Sequence, residues 1–496
     1  HAPESRAVIE KYLRNVIPMV KDLPAIHSFC LSNEPICNNS ENCRVVKEIW
    51  PKWLEKRHKT LDELNAKWGT EYKSFTEIPI PTPRPKYPMT PLAYDYTQFN
   101  QETFAEFHSW MAGVVHEMAP HIPVHAKIMM SAHFGRSAAG IWSVSPELFG
   151  ELSQYNGNDA CNWTSGHSLY YSTWNSYLRA YDFQKSVADK PVNNTENHLI
   201  FDRDLNDYWP IHCYTAHIQG AIHGQTCSAM WVWERTNDPA SDLAGSVLHR
   251  PRHIMAVSQA AMDLMRNAYQ VTALQKATRN VALVWSNSSD HYGNAPQMQT
   301  LGNAWTALAF LDQPTAFLTE RTLDKVLETG SLPEHLKSIK LIILPSVDNL
   351  ATNARKALDL LKAKGCKLVA LNHITTRDEY NRSIPGGWGA QKPDATLEGQ
   401  LEDHIDTMQS ILARAGIVSN ALFVDSSGKP IQGVQIRSTV YEGKPLVNLC
   451  NQTRFPVTGT LKLKGIATAS RDFISLKDFD ATLTLAPLQP VILQTK

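Results

Sequence analysis

The chain has 496 residues, which at roughly 100–200 residues per domain predicts two to four domains. Its 48 Lys and Arg balance 48 Asp and Glu, which excludes nucleic acid as the expected main partner and offers no polybasic surface to a membrane. No apolar run reaches the roughly 18–20 residues that span a bilayer, and the 13 Trp, 16 Tyr and 15 Phe suit either a large core or the flat apolar platforms of a carbohydrate cleft.

Helical spacing opens the chain over residues 4–20 (Val8, Ile9, Tyr12, Leu13, Val16), with Pro24 as the exit. This start is an ordinary amphipathic helix without the basic-then-apolar pattern of a leader. A short apolar run, Ile26 to Leu31, ends in Ser32-Asn33-Glu34-Pro35. A helix over 99–118 precedes a strand-like run from Val124 to Met130, and the next helix–strand step ends near Asp159 and Trp163. Helix 171–187 leads to Pro191–Glu196, and helix 211–223 leads to Cys227–Glu234. Five strands, each ending in polar or aromatic residues and separated by helices, imply a parallel sheet or a (β/α) barrel. In a barrel, chemistry gathers at the C-terminal strand ends. Eight strands would require three more before residue 1, an expectation of about one further stretch of 100–200 residues.

Past residue 272 the pattern changes. Val281–Trp285, Leu341–Pro345 and Lys367–Leu371 are short apolar runs between helical stretches, the signature of a flavodoxin-like α/β unit over 273–428. The first run ends in Trp-Ser-Asn-Ser-Ser-Asp, without the glycines of a dinucleotide site, so a structural or oligomerisation role is expected. The run 383–395, with Pro385-Gly386-Gly387, is expected to be a mobile loop. Residues 429–496 alternate polar and apolar positions between Gly, Pro and Asn turns, which predicts a small antiparallel β-sandwich-like domain. The eight cysteines do not form the dense framework of a small secreted domain, and the compartment stays open.

Two carboxylates close apolar strands, Glu34 and Glu196. Parallel barrel strands deliver such residues to one cleft, where a protonated carboxyl can serve the leaving oxygen while an ionised one attacks the anomeric carbon. Lys127 inside an apolar strand calls for a partner carboxylate or an anionic substrate group. Trp231 and Trp233 alternate around Val232 and are expected to point together, as a sugar platform or as barrel packing. Trp163, His198 and Glu234 stand at neighbouring strand ends as further candidates for substrate contact.

Ser32-Asn33-Glu34-Pro35 resembles the strand-4 Asn-Glu motif of clan A glycoside hydrolases. The run that follows, Cys37, Cys43, Trp53-Leu54 and Leu61–Tyr72, then Phe75 and Ile78, is similar to glycoside hydrolase family 42, the β-galactosidases, and the similarity continues through Asp95-Tyr96 and Phe99 to Glu196. The resemblance implies the C-terminal part (strands 4–8) of a (β/α)8 TIM barrel over 1–272, an α/β trimerisation-like domain and a small β domain. It implies Glu34 as acid/base, Asn33 as a partner of the sugar 2-OH and Glu196 as nucleophile, with no cofactor and with homotrimer formation. The sequence departs from the family in three ways. The first three βα units are absent. The glutamate and histidine that hold galactose after the last strand are not evident in Trp233–Asp242. Only Cys30, Cys37 and Cys43 remain of a cysteine cluster that binds zinc in some members, three thiols without an obvious fourth ligand. The expected activity is therefore a retaining exo-β-glycosidase on oligosaccharides, with β-mannosidase, β-glucosidase, a marine-polysaccharide exo-hydrolase and an inactive carbohydrate-binding scaffold as alternatives.

Overall fold

Five parallel strands run through the first half of the chain: β1 (Phe29–Asn33), β2 (Val124–Lys127), β3 (Asn156–Asn158), β4 (Val192–His198) and β5 (Gln225–Trp231). The structure is a computed structural model, and it describes residues 2–37, 43–81, 90–130, 143–165, 168–201, 208–233, 246–293, 295–389 and 391–495. β1 pairs with β2, a bridge between Ile128 and Asn158 carries β2 on to β3, and β3, β4 and β5 pair in sequence. Helices separate every pair, so the ladder is the βα repeat of a barrel. Gly157 is needed where β3 meets β2, since a Cβ there would fall 2.4 Å from the Ala126 carbonyl oxygen.

The expected helix over 99–118 begins earlier, at Pro91, and extends to Met118. Thr90 caps it by accepting the Ala93 N–H at 3.2 Å, and Pro91 occupies the first turn, where its missing N–H costs nothing. Between β1 and this helix lie two more, Arg44–His58 and Leu61–Trp68. The shorter one is capped by Thr60 and stopped by Gly69 in the left-handed region at φ 70°. Their joint core takes Trp50, Trp68, Tyr94, Tyr96, Phe99 and Tyr380. Many of the chain's rings therefore fill a packed insertion beside the barrel instead of lining a cleft. At its centre the fully buried Asp95 accepts from Arg57 at 2.7 Å and Trp68 at 3.0 Å and lies 2.8 Å from His58 Nε2. Burial opposes its ionisation, but Arg57 and His58 hold the carboxyl below its ordinary range.

The middle unit is a four-stranded parallel sheet in which β6 (Val281–Trp285) is flanked by β7 (Thr315–Thr319) and β8 (Leu341–Pro345), with β9 (Lys367–Leu371) at the edge beyond β8. This is the doubly wound arrangement expected. The sequence reading passed over β7 because threonines at both ends leave an apolar run of only Ala316-Phe317-Leu318. The loop expected over 383–395 is partly wrong. β10 (Thr375–Arg377) pairs antiparallel with β11 (Ser383–Trp388), and Trp388 Nε1 donates to Asp359 at 3.3 Å. Backbone pairing and the indole anchor order a stretch whose Pro and Gly content alone reads as loop.

The C-terminal strands form two antiparallel sheets. One joins β12 (Ala421–Val424) to β15 (Val457–Leu463), which also pairs with β16 (Ile466–Ala467) and β19 (Thr482–Leu485). The other runs β13 (Val434–Tyr441), β14 (Lys444–Asn451), β20 (Pro490–Thr495), β17 (Ser470–Asp472) and β18 (Asp478–Phe479). Phe423, Ile436, Val447, Leu449, Leu461 and Leu493 are among the side chains that fill the space between them. β12 lies before residue 429 yet hydrogen-bonds into this sheet, because Ala421–Val424 finds its ladder partners in β15. Among the described residues no helix is long and apolar enough to cross a membrane.

Candidate active site

Glu34 is the first residue beyond β1 and takes φ 46°, a backbone conformation that non-glycine residues adopt at a cost of about 1 kcal/mol or more. Its N–H donates to the Lys127 carbonyl at 2.8 Å, so the end of β2 fixes the start of the loop that carries the carboxylate. Lys127 closes β2, and its side chain is 2% exposed. A buried ammonium is costly unless paired, and this one has both carboxylates. Its Nζ lies 3.4 Å from Glu34 Oε1 and also contacts Glu196 Oε2 directly.

Glu196 sits where the pairing of β4 with β5 slips, between Asn194 and Asn197. Such a bulge re-aims a side chain. Asn194 secures it, donating to the Ala160 carbonyl at 2.8 Å and to the Tyr181 hydroxyl at 2.9 Å while accepting the Glu196 N–H at 3.2 Å. The other Glu196 oxygen lies 3.1 Å from His198 Nε2. The two carboxylates differ in setting, with the Glu196 side chain 13% exposed and that of Glu34 38% exposed.

His198 ties the aromatic residues to this cluster. Its ring meets Trp163 edge-on at 6.2 Å and lies 5.9 Å from Trp231, and Trp163 in turn packs at 5.0 Å on Phe201. Glu34, Lys127, Glu196, His198, Trp163 and Trp231 thus converge on one end of the strands. Asn33 is exposed at the end of β1, opposite Lys127 in the register. Trp233 differs from expectation. β5 ends at Trp231, so strand alternation does not extend to Trp233, which stands half-exposed beyond the strand. Glu234 lies outside the described residues. None of Cys30, Cys37 and Cys43 is in a disulfide. Among the described residues no group of three or more His, Cys, Asp or Glu side chains could hold a metal.

Sequence reading missed Asp159. It follows β3 and accepts the Met130 N–H at 2.5 Å. Burial raises its carboxyl to about 6, with the negative charge of Glu34 adding to the rise against that hydrogen bond and Lys127. A signal was present, since Asn158-Asp159 repeats at β3 the Asn33-Glu34 pattern of β1.

Residues 2–195 match the family model for β-galactosidases of glycoside hydrolase family 42. Among curated proteins, the β-galactosidase bgaB of Geobacillus kaustophilus is 30% identical over 138 residues, which are 26% of this chain and 20% of that protein. The chain therefore spans about a fifth of that relative in the matched region. Among solved structures, the apo exo-carrageenase of family 42 from Bacteroides ovatus superimposes with a TM-score of 0.82 at 20% identity, over 100% of this chain and 70% of that one. The family 42 β-galactosidase Gan42B gives a TM-score of 0.76 at 15% identity, over 100% and 82%.

Proposed function

We propose that this relative of the family 42 β-galactosidases is a retaining exo-β-glycosidase whose first substrate class is β-galactosides. The observation that carries the reading is the single ammonium shared by Glu34 and Glu196. With one contact of 3.4 Å and the other direct, the two bridged oxygens lie within about 6 Å, two charge-assisted contacts end to end. That fits the roughly 5–5.5 Å of retaining enzymes better than the wider gap that admits a water in inverting ones. Glu196, the more buried and more tightly paired, is the nucleophile. Glu34, nearer solvent, protonates the leaving oxygen and then takes the proton of the water that releases the sugar. Trp163 and Trp231 supply apolar faces for the ring, and Asn33 and His198 supply hydroxyl partners. Assembly of several copies through the middle unit, as a trimer, belongs to the same reading. A second reading, exo-hydrolysis of a carrageenan chain end, is favoured by the overlay on the exo-carrageenase.

A panel of nitrophenyl β-glycosides and carrageenan oligosaccharides, with the product anomer followed by NMR from the first turnover, tests both. Release of the β-anomer from a terminal sugar is expected. An α-anomer as first product removes the double displacement, and no hydrolysis of any β-linked substrate removes the activity.

Lys127 has its own expected result. The cation holds the Glu196 carboxylate in place, so Lys127→Met lowers kcat by about 10²-fold while KM changes little. Steady-state kinetics of the variant and the wild type check it. An unchanged kcat would leave Lys127 with packing alone.

A further inference from the structure

A polar cavity lies at the end of the barrel opposite Glu34 and Glu196, where the chain leaves the helix Trp174–Val187 and turns into β4. It has a volume of about 350 Å3, and its lining includes Lys185, Asp189, Lys276, Arg279, His335 and Lys337. Arg279 lies on the strap between the helix Ala268–Gln275 and β6, the connection from barrel to middle unit.

Arg279 is 8% exposed, yet among the described residues its guanidinium has no hydrogen bond or ion pair; its backbone carbonyl accepts from Ser338 Oγ at 2.9 Å. The surrounding carboxylates are already engaged. Asp182 holds Arg437 at 3.1 Å and His223 at 3.0 Å, Asp189 holds Lys185 at 2.5 Å, and Glu334 holds Lys337. His335 Nε2 faces the Ser186 carbonyl at 2.8 Å. The cavity is therefore left with two cations beyond its internal pairs, the buried Arg279 and the exposed Lys276. Burial weakens the proton affinity of this guanidinium, and Asp182 and Asp189 attract it only at longer range, which leaves a buried cation without a direct partner. Its planar fork of five donors suits two oxygens of one anion, and Lys276 at the rim can meet a third.

We propose that Arg279 and Lys276 form a binding site for a tetrahedral oxyanion, a phosphate or sulfate that arrives either free or as a sugar monoester. The cavity volume lies in the range that admits such a monoester. Occupancy would join the barrel to the middle unit through the strap that carries both cations.

The test is isothermal titration of the intact protein with sodium phosphate, sodium sulfate, glucose 6-phosphate and glucose 6-sulfate, against sodium chloride at equal ionic strength. Saturable one-to-one binding of at least one oxyanion is expected, with none for chloride. Lys276→Gln, a surface change that leaves folding intact, weakens it about tenfold, the worth of one charge-assisted hydrogen bond. Arg279→Met abolishes it and melts in chloride at or above the wild-type temperature, because it removes an unpaired buried charge. A monoester that binds more tightly than the free anion identifies the source as a modified sugar, and equal binding identifies the free ion. Binding no stronger than chloride, or undiminished binding in both variants, overturns the proposal.

Discussion

Glu196→Ala is expected to lower turnover on the order of 10⁵-fold and to regain a measurable part of it in azide, with an α-glycosyl azide as product from a nitrophenyl β-glycoside. Removing the carboxylate opens the face from which Glu196 attacks, and azide then enters from that face and inverts the anomeric centre. Glu34→Ala gives the opposite pattern. An activated leaving group needs little protonation, so the glycosyl-enzyme still forms, and azide then displaces Glu196 to leave a β-glycosyl azide. The configuration of the azide product therefore assigns the two roles separately. Folding is controlled by melting temperature, since Glu196→Ala takes from the buried Lys127 its closest partner but leaves Glu34 at 3.4 Å. An α-azide from Glu34→Ala, or wild-type turnover by Glu196→Ala, would reverse or remove the assignment.

β1 and β2 were legible as largely apolar runs that end in polar residues, whereas the polar β3 and β4 were legible from the helices that alternate with them. The carboxylates were legible by position, Glu34 at the end of an apolar run and Glu196 near the end of the strand that follows the helix Trp174–Val187. Lys127 was visible as an anomaly, though its dual pairing was not, because which charges meet depends on the bulge in β4 and the left-handed turn at Glu34. Neither leaves a mark in hydrophobic periodicity. Asp159 was hidden because one acid after a three-residue strand looks like any loop carboxylate. The position of Trp233 was misjudged because alternation assumes that a strand continues, and β5 stops two residues earlier. β7 was lost to its threonines and β12 to its shortness, and only neighbouring strands complete their hydrogen-bond ladders. Ring content misled in a different way, since composition counts aromatics without saying that Trp50, Trp68 and Tyr96 pack together in the helices beside β1.

Asp182→Ala is expected to cost about 3–5 kcal/mol, because it strands a buried cation. Asp182 is 1% exposed on the helix Trp174–Val187, where three parts of the chain reach it. Arg437 of β13 donates at 3.1 Å, Trp305 of the middle unit donates at 3.2 Å, and His223 Nδ1 lies at 3.0 Å. Gln435 Nε2 stands 2.6 Å from His223 Nε2. The Gln435 amide faces the imidazole on one side, and Nδ1 on the other side faces both the Asp182 carboxylate and the Arg437 guanidinium at 3.1 Å. Burial works against ionisation of Asp182, but His223 and Arg437 hold its carboxyl far below the ordinary value of 3.8, while burial pushes His223 down to about 4. Both shifts have the same sign for stability. Below its ordinary value the unfolded Asp182 binds a proton that the folded one resists, and between 6.5 and about 4 the unfolded His223 does likewise. The stabilisation from this junction is thus complete at neutral pH, falls as pH drops through the histidine window, and falls further once the unfolded carboxylate protonates. Urea unfolding of wild type and Asp182→Ala at pH 7.5 would show that deficit, and wild-type stability would fall from pH 7.5 to 5 to 3.5 as His223 and then Asp182 take protons in the unfolded chain. Asp182→Leu combined with Arg437→Met recovers most of the loss, since it removes both charges of the pair. A double variant as unstable as the single one would mean that the junction is held by packing around Trp305 instead of by charge.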